Sequence, residues 1–119
     1  MVTSDLSTRI NDVLRYIGIT RNMNAYIVLS QAIMLIDEDE DRLLAVEKEI
    51  YTPIANKKMY EPKAVQSTIR RASKMAWELC PDRVQELAGY PLTGLPSAVP
   101  FLELLYNAVA RYDDLTILK

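Results

Sequence analysis

Apolar residues near the start of the chain recur at steps of three and four positions, which is the period of an amphipathic helix. They are Leu6, Ile10, Val13, Leu14 and Ile17. Ser4 or Asp5 is suited to cap the beginning of this helix, and Gly18 is suited to end it. The pattern therefore predicts a first helix that ends near Gly18.

A second run of apolar residues predicts a helix that begins between Arg21 and Asn24. Its apolar residues point to most sides of the helix instead of one. They are Tyr26, Ile27, Leu29, Ile33, Leu35 and Ile36. A helix of this kind is typical of the middle of a bundle, where neighbouring helices cover it from several directions.

Five consecutive acidic residues, 37–41, interrupt the helical pattern and are predicted to form a solvated turn. The glycine and the spaced Asp/Asn positions of a calcium loop are missing there, so no metal site is predicted.

A third helix is predicted from Arg42 to about Tyr51. Its buried residues would be Leu43, Leu44, Val46 and Ile50. Thr52 and Pro53 are predicted to break this helix, because proline disfavours helical backbone at the residue before it.

The helical pattern resumes with a short helix from Pro53 to about Lys58, a tight turn over 59–61 and a longer helix over 62–77. Pro62 fits the first turn of the longer helix. Four apolar residues of that helix share one side and are predicted to face the core: Val65, Ile69, Ala72 and Ala76.

The last third of the chain predicts one or two helical turns after Pro81, ended by Gly89. Residues 90–100 are rich in proline and glycine and are predicted to be an irregular connector. A final helix is predicted from Phe101 to about Tyr112. The fold class is therefore all-α: a compact single-domain bundle of six to seven helices over residues 1–119, containing a helix-turn-helix at about 51–77. No run of residues has the alternation of a strand.

Composition favours a cytoplasmic globular protein. Half of the 119 residues are apolar and a quarter are charged, as in an ordinary folded domain. No apolar run approaches the roughly 20 residues of a membrane helix, and the first ten residues lack the pattern of a signal peptide. A single cysteine, Cys80, allows no internal disulfide and agrees with a reducing compartment.

Catalytic chemistry is not indicated by the residues present. The chain has no histidine, which removes the commonest general base and most zinc sites. Its three glycines are scattered and form no phosphate-binding cluster. We therefore predict no enzyme activity, no catalytic residue, no metal and no cofactor.

Positive charge is concentrated in residues 56–77. This segment holds six of the 14 basic residues and one of the 16 acidic residues, a net charge of +5. The rest of the chain holds eight basic and fifteen acidic residues, a net charge of −7. On a helical wheel, Lys63, Ser67, Arg70 and Lys74 gather opposite the predicted core side, with Arg71 beside them.

A short helix, a turn and a longer basic helix are the arrangement of helix-turn-helix proteins, whose second helix enters the DNA major groove. The predicted phosphate contacts are Lys57, Lys58, Lys63 and Lys74. The predicted base contacts are Gln66, Ser67 and Arg70, and Arg71 suits either role. The partner would be double-stranded DNA. A plain solvated basic face, with no ligand, is the alternative for this segment.

Residues 50–77 also resemble a known family, the C-terminal DNA-binding effector domain of the sporulation-initiation response regulator of spore-forming Firmicutes. The matching residues are Ile50, Tyr51, Ile54, Ala55, Lys57, Val65, Ile69, Arg70, Ala72, Ala76 and Trp77. Upstream, Ile17-Gly18-Ile19, Tyr26, Leu29 and Gln31-Ala32-Ile33 fit the family at equal spacing. The resemblance implies an all-helical cytoplasmic domain that regulates transcription by binding DNA, often as tandem dimers.

Two departures from the family pattern bear on function. Where the family reads Ser-Arg-Val-Glu-Arg, residues 63–67 read Lys-Ala-Val-Gln-Ser, so both arginines are missing. We expect phosphate attraction to be kept and the family's target sequence to be lost. The family's regulator normally carries a receiver domain before this one, so we expect either a standalone paralogue or an excised part of a longer regulator.

A protein-interaction module remains the alternative function. Such a module would keep the fold without sequence-specific DNA binding, and would pair with a second copy or with a paralogous regulator. The acidic remainder of the chain and the missing arginines motivate this hypothesis.

Overall fold

The computed structural model describes residues 5–115, which form helices and connecting turns without any strand. Its α-helices are α1 (Leu6–Tyr16), α2 (Asn24–Glu38), α3 (Thr52–Lys58), α4 (Pro62–Leu79), α5 (Pro81–Ala88) and α6 (Ala98–Ala110). The radius of gyration is 13.4 Å, which is that of a compact globule of this length. The predicted all-α fold class is confirmed. None of the described helices has the length and apolar character needed to cross a membrane.

Helix α6 forms the centre of the bundle and packs against α1, α2, α4 and α5. Eight of its thirteen residues are buried, and Phe101 and Leu105 are fully inaccessible to solvent. The helix begins at Ala98, three residues before the predicted start, and ends at Ala110. Pro100 is tolerated in the first turn because the backbone N–H groups there have no partner within the helix.

The predicted first helix is present as α1, and its cap is Asp5. The Asp5 carboxylate accepts a hydrogen bond of 2.7 Å from the backbone N–H of Thr8. The other predicted cap, Ser4, lies outside the described residues. At the far end, Gly18 has a φ of +88°, a left-handed conformation that favours glycine.

Helix α2 packs against α1, α4 and α6, in agreement with a place inside the bundle. Its most enclosed residues, Leu29, Ile33 and Ile36, are fully buried. Ile27 and Met34 are instead about two-fifths exposed, at 41% and 38%. One side of the helix therefore stays at the surface.

The predicted third helix from Arg42 to Tyr51 is wrong. A 3-10 segment, Glu40–Leu44, is followed by a π turn, Glu47–Tyr51, that runs directly into α3. Thr52 keeps helical backbone angles and Pro53 lies in the first turn of α3, so the helical path continues through Pro53 and is not broken there.

The side chain of Arg42 holds this irregular segment in place. Its guanidinium donates to the carbonyl of Glu49 at 3.0 Å and lies 3.3 Å from the carboxylate of Glu38. The change of helix type turns Leu44 outward, where it is 86% exposed although it was predicted to be buried. Ile50 is buried as predicted.

Candidate nucleic-acid interface

The predicted helix-turn-helix consists of α3, a turn over residues 59–61, and α4. The turn closes through two backbone hydrogen bonds, from Tyr60 to Ala55 at 2.8 Å and from Met59 to Asn56 at 3.4 Å. These two bonds form a Schellman motif, which requires a left-handed residue just after the helix. Met59 supplies it with a φ of +59°. The sequence therefore ends α3 without a glycine and directs the chain back into α4.

Helix α4 has one buried side and one exposed side. The buried residues are Val65, Ile69, Ala72, Ser73 and Ala76. The exposed polar residues include Lys63, Gln66, Arg70 and Lys74. These four follow one another at three- and four-residue steps and so share one side of the helix. At 1.5 Å per residue, the stripe from Lys63 to Lys74 is about 16 Å long.

Four of the predicted DNA contacts line a single groove beside α4. They are Ser67, Arg70, Arg71 and Lys74. The opposite wall is formed by residues 95–97, the end of the irregular segment before α6. The groove is open to solvent and has a volume of about 470 Å³. None of its lining residues is acidic.

A buried hydrogen bond fixes residues 95–97 against α4. The hydroxyl of Ser73 donates to the carbonyl of Pro96 at 2.7 Å, across 23 positions of the sequence. Ser73 is 1% exposed, and it is the buried polar residue of the described core. Sequence reasoning missed both Ser73 and the 95–97 wall. The helical phase of Ser73, next to the apolar side of α4, is the signal that could have indicated its burial.

The basic side chains of the interface have few carboxylate neighbours. Lys74 lies 4.0 Å from Glu78, and both side chains are about two-thirds exposed, so the pair contributes little. Among the side chains that the structure describes, no ion pair involves Lys63, Arg70 or Arg71. Their charges are therefore available to an anion from solution.

Two further predicted contacts lie away from this groove. Lys57 lines a smaller groove of about 250 Å³ between α2 and α3, together with Glu38 and Met34. Lys58 is half-buried at the end of α3. The structure thus brings Ser67, Arg70, Arg71 and Lys74 together and does not bring Lys57 into the same groove.

Comparison with known families identifies the domain. Residues 10–110 match the family model described as sporulation initiation factor Spo0A C terminal. The chain belongs to this family. The match covers the bundle from the middle of α1 to the end of α6, including the whole helix-turn-helix. The family resemblance of residues 50–77 is thereby confirmed.

Spo0A C-terminal domains are helical DNA-binding domains of transcription regulators of sporulation. At the start of α4, the two positions where the resemblance implies arginine hold Ala64 and Ser67. Ala64 is exposed and Ser67 is half-buried in the groove. No solved structure matches the chain significantly.

Proposed function

We propose that this Spo0A C-terminal domain binds duplex DNA as a transcription regulator, with α4 in the major groove. The observation that carries the proposal is the exposed stripe of Lys63, Gln66, Arg70 and Lys74 along one side of α4. The B-DNA major groove, about 12 Å wide, accommodates one α-helix. A helix with basic side chains on its outward side and no acidic residue between 62 and 77 suits that groove.

Within the stripe, Gln66 is the residue best suited to read a base. A glutamine amide forms a bidentate pair with adenine N6 and N7, whereas the family's arginines suit guanine. Lys63, one turn earlier, would contact a phosphate, and Lys57 and Lys58 would contact phosphates from the end of α3. The target is therefore expected to differ from that of family members that carry the arginines.

The dependence of affinity on salt tests this proposal. For about four to six phosphate contacts, log K against log salt concentration should fall with a slope between about −4 and −5 on random duplex. The matched control is Arg15→Ala, which removes one exposed positive charge from α1 and should leave the slope unchanged. Undetectable binding to duplex at low salt would contradict the proposal.

The charge split of the chain favours a second candidate function. A +5 segment and a −7 remainder would let the acidic surface of one molecule meet the basic surface of a second copy or of a paralogous regulator. Sedimentation at low salt without DNA measures whether the chain self-associates. A concentration-dependent dimer that duplex DNA does not dissociate, together with absent DNA binding, would support an interaction module.

A further inference from the structure

A single helix that enters the DNA major groove makes no use of the protein groove between α4 and residues 95–97. An isolated recognition helix would present its whole outward side to base edges. Here a second stretch of chain lies beside α4 at the level of Arg70 and Lys74, and the bond from Ser73 to Pro96 holds it there. A major groove about 12 Å wide cannot admit both α4 and this second stretch at the same depth.

Only the first part of α4 is therefore free to approach base edges. Lys63 and Gln66 lie before the 95–97 wall and do not line the groove. Arg70 and Arg71, by contrast, lie one to two turns later and face the wall. The position of the wall thus divides α4 into a first part that can contact bases and a later part that can contact the DNA backbone.

The groove itself has the composition of a phosphate site. Its three cationic residues, Arg70, Arg71 and Lys74, are accompanied by no acidic lining residue. Arginine binds phosphate oxygens in a bidentate manner, and lysine binds them as a point charge. On the opposite wall, Ser97 is exposed and its side chain makes no capping hydrogen bond to α6. Its hydroxyl is therefore available to donate to a phosphate oxygen.

We propose that this groove holds a backbone phosphate of the bound DNA between Arg70, Arg71 and Lys74 on α4 and Ser97 on the opposite wall. This inference rests on the proposed DNA binding. In this arrangement Arg70 and Ser67 face the DNA backbone, and Gln66 is the main side chain that contacts a base. Ser73 is a positioning residue, because it fixes the wall through Pro96.

The first experiment compares Arg70→Ala and Arg71→Ala with Gln66→Ala, on random duplex and on a duplex selected by the wild-type chain. Each arginine variant should weaken binding to both duplexes by the same factor and reduce the salt slope by about 1. Gln66→Ala should lower the preference for the selected duplex and leave the slope unchanged. An Arg70→Ala variant that loses only the sequence preference would overturn the inference.

The second experiment introduces a negative charge on the wall. Ser97→Asp should remain folded, because aspartate is a favourable residue at the beginning of a helix. It should weaken binding to every duplex by about tenfold at low salt through repulsion of the phosphate. The matched control is Asn107→Asp, an exposed position further along the same helix, which should have little effect.

Equal effects of the two aspartate variants would show that the groove holds no phosphate. A wild-type chain that binds no duplex in the same titration would instead contradict the proposed function itself. The two failures are therefore distinguishable within one set of measurements.

Discussion

At the scale of single residues, Met59 carries the clearest backbone strain. Its φ of +59° is required by the turn between α3 and α4, although a residue with a Cβ atom adopts this conformation at a cost. The side chain is 94% exposed and so gains little from packing. The strain lies in the turn that orients α4. A change of residue at position 59 should therefore alter stability through the backbone, because the exposed side chain has little packing to lose.

Replacing Met59 by glycine should therefore stabilise the domain. Glycine removes a left-handed penalty of about 1–2 kcal/mol, and the greater freedom of the unfolded chain costs about 0.5–1 kcal/mol, so the free energy of unfolding should rise by up to about 1.5 kcal/mol. Urea denaturation measures the change. Met59→Ala, which keeps the Cβ atom, is the control and should bring no gain. A less stable glycine variant would contradict this explanation.

Ile69 should be the residue that holds α4 against the core. It is fully buried, so Ile69→Ala should lower the free energy of unfolding by about 2–5 kcal/mol, through lost burial and the cavity left behind. Its exposed neighbour provides the control, since Arg70→Ala should change stability by less than about 0.5 kcal/mol. If the two variants unfold at the same urea concentration, the buried and exposed sides of α4 are assigned wrongly.

At the scale of elements, the segment from residue 40 to residue 51 is where helix prediction failed. Its apolar residues were compatible with a regular helix up to Tyr51, but the chain forms a 3-10 segment and a π turn. In this conformation Arg42 donates to the backbone carbonyl of Glu49 and pairs with Glu38. Glu38 and Glu49 stand four and seven positions from Arg42, spacings that a regular helix also provides, so the sequence pattern did not distinguish the two backbones.

The beginning of α1 gives a prediction about pH. The hydrogen bond from the Thr8 N–H holds the pKa of Asp5 below its ordinary value of 3.8. A carboxylate whose folded pKa is lowered stabilises the fold above its unfolded pKa, and this contribution is lost as pH falls through the folded pKa. Asp5→Asn keeps an acceptor that does not titrate, so it should remove this part of the acid dependence.

Urea denaturation at several pH values between about 7 and about 2 tests the role of Asp5. The wild type and Asp5→Asn should differ in how their stability changes below the ordinary pKa of an aspartate, and Asp5→Ala should be less stable than the wild type near neutral pH. Identical pH profiles for the wild type and Asp5→Asn would show that the cap carries no pH-dependent stability.

At the scale of the whole molecule, charge is separated between one basic surface and an acidic remainder. The acidic residues at the end of α2 and in the following 3-10 segment are exposed, and the groove beside α4 has no acidic lining residue. Such a separation would keep the acidic surface away from phosphates and orient the approach to DNA. The sequence places six basic residues within 56–77, and the structure brings Arg70, Arg71 and Lys74 into one groove while Lys57 lies in another groove beside Glu38.

The sequence by itself determined the helical class, the position of the helix-turn-helix and the buried side of α4. Those properties depend on residues three or four positions apart, and the sequence records such spacings directly. Only the tertiary structure decided that residues 95–97 lie beside α4, that Ser73 is buried to hold them, and that Lys57 belongs to another groove. These relations join residues far apart in the chain, and the packing of α6 at the centre of the bundle brings them together.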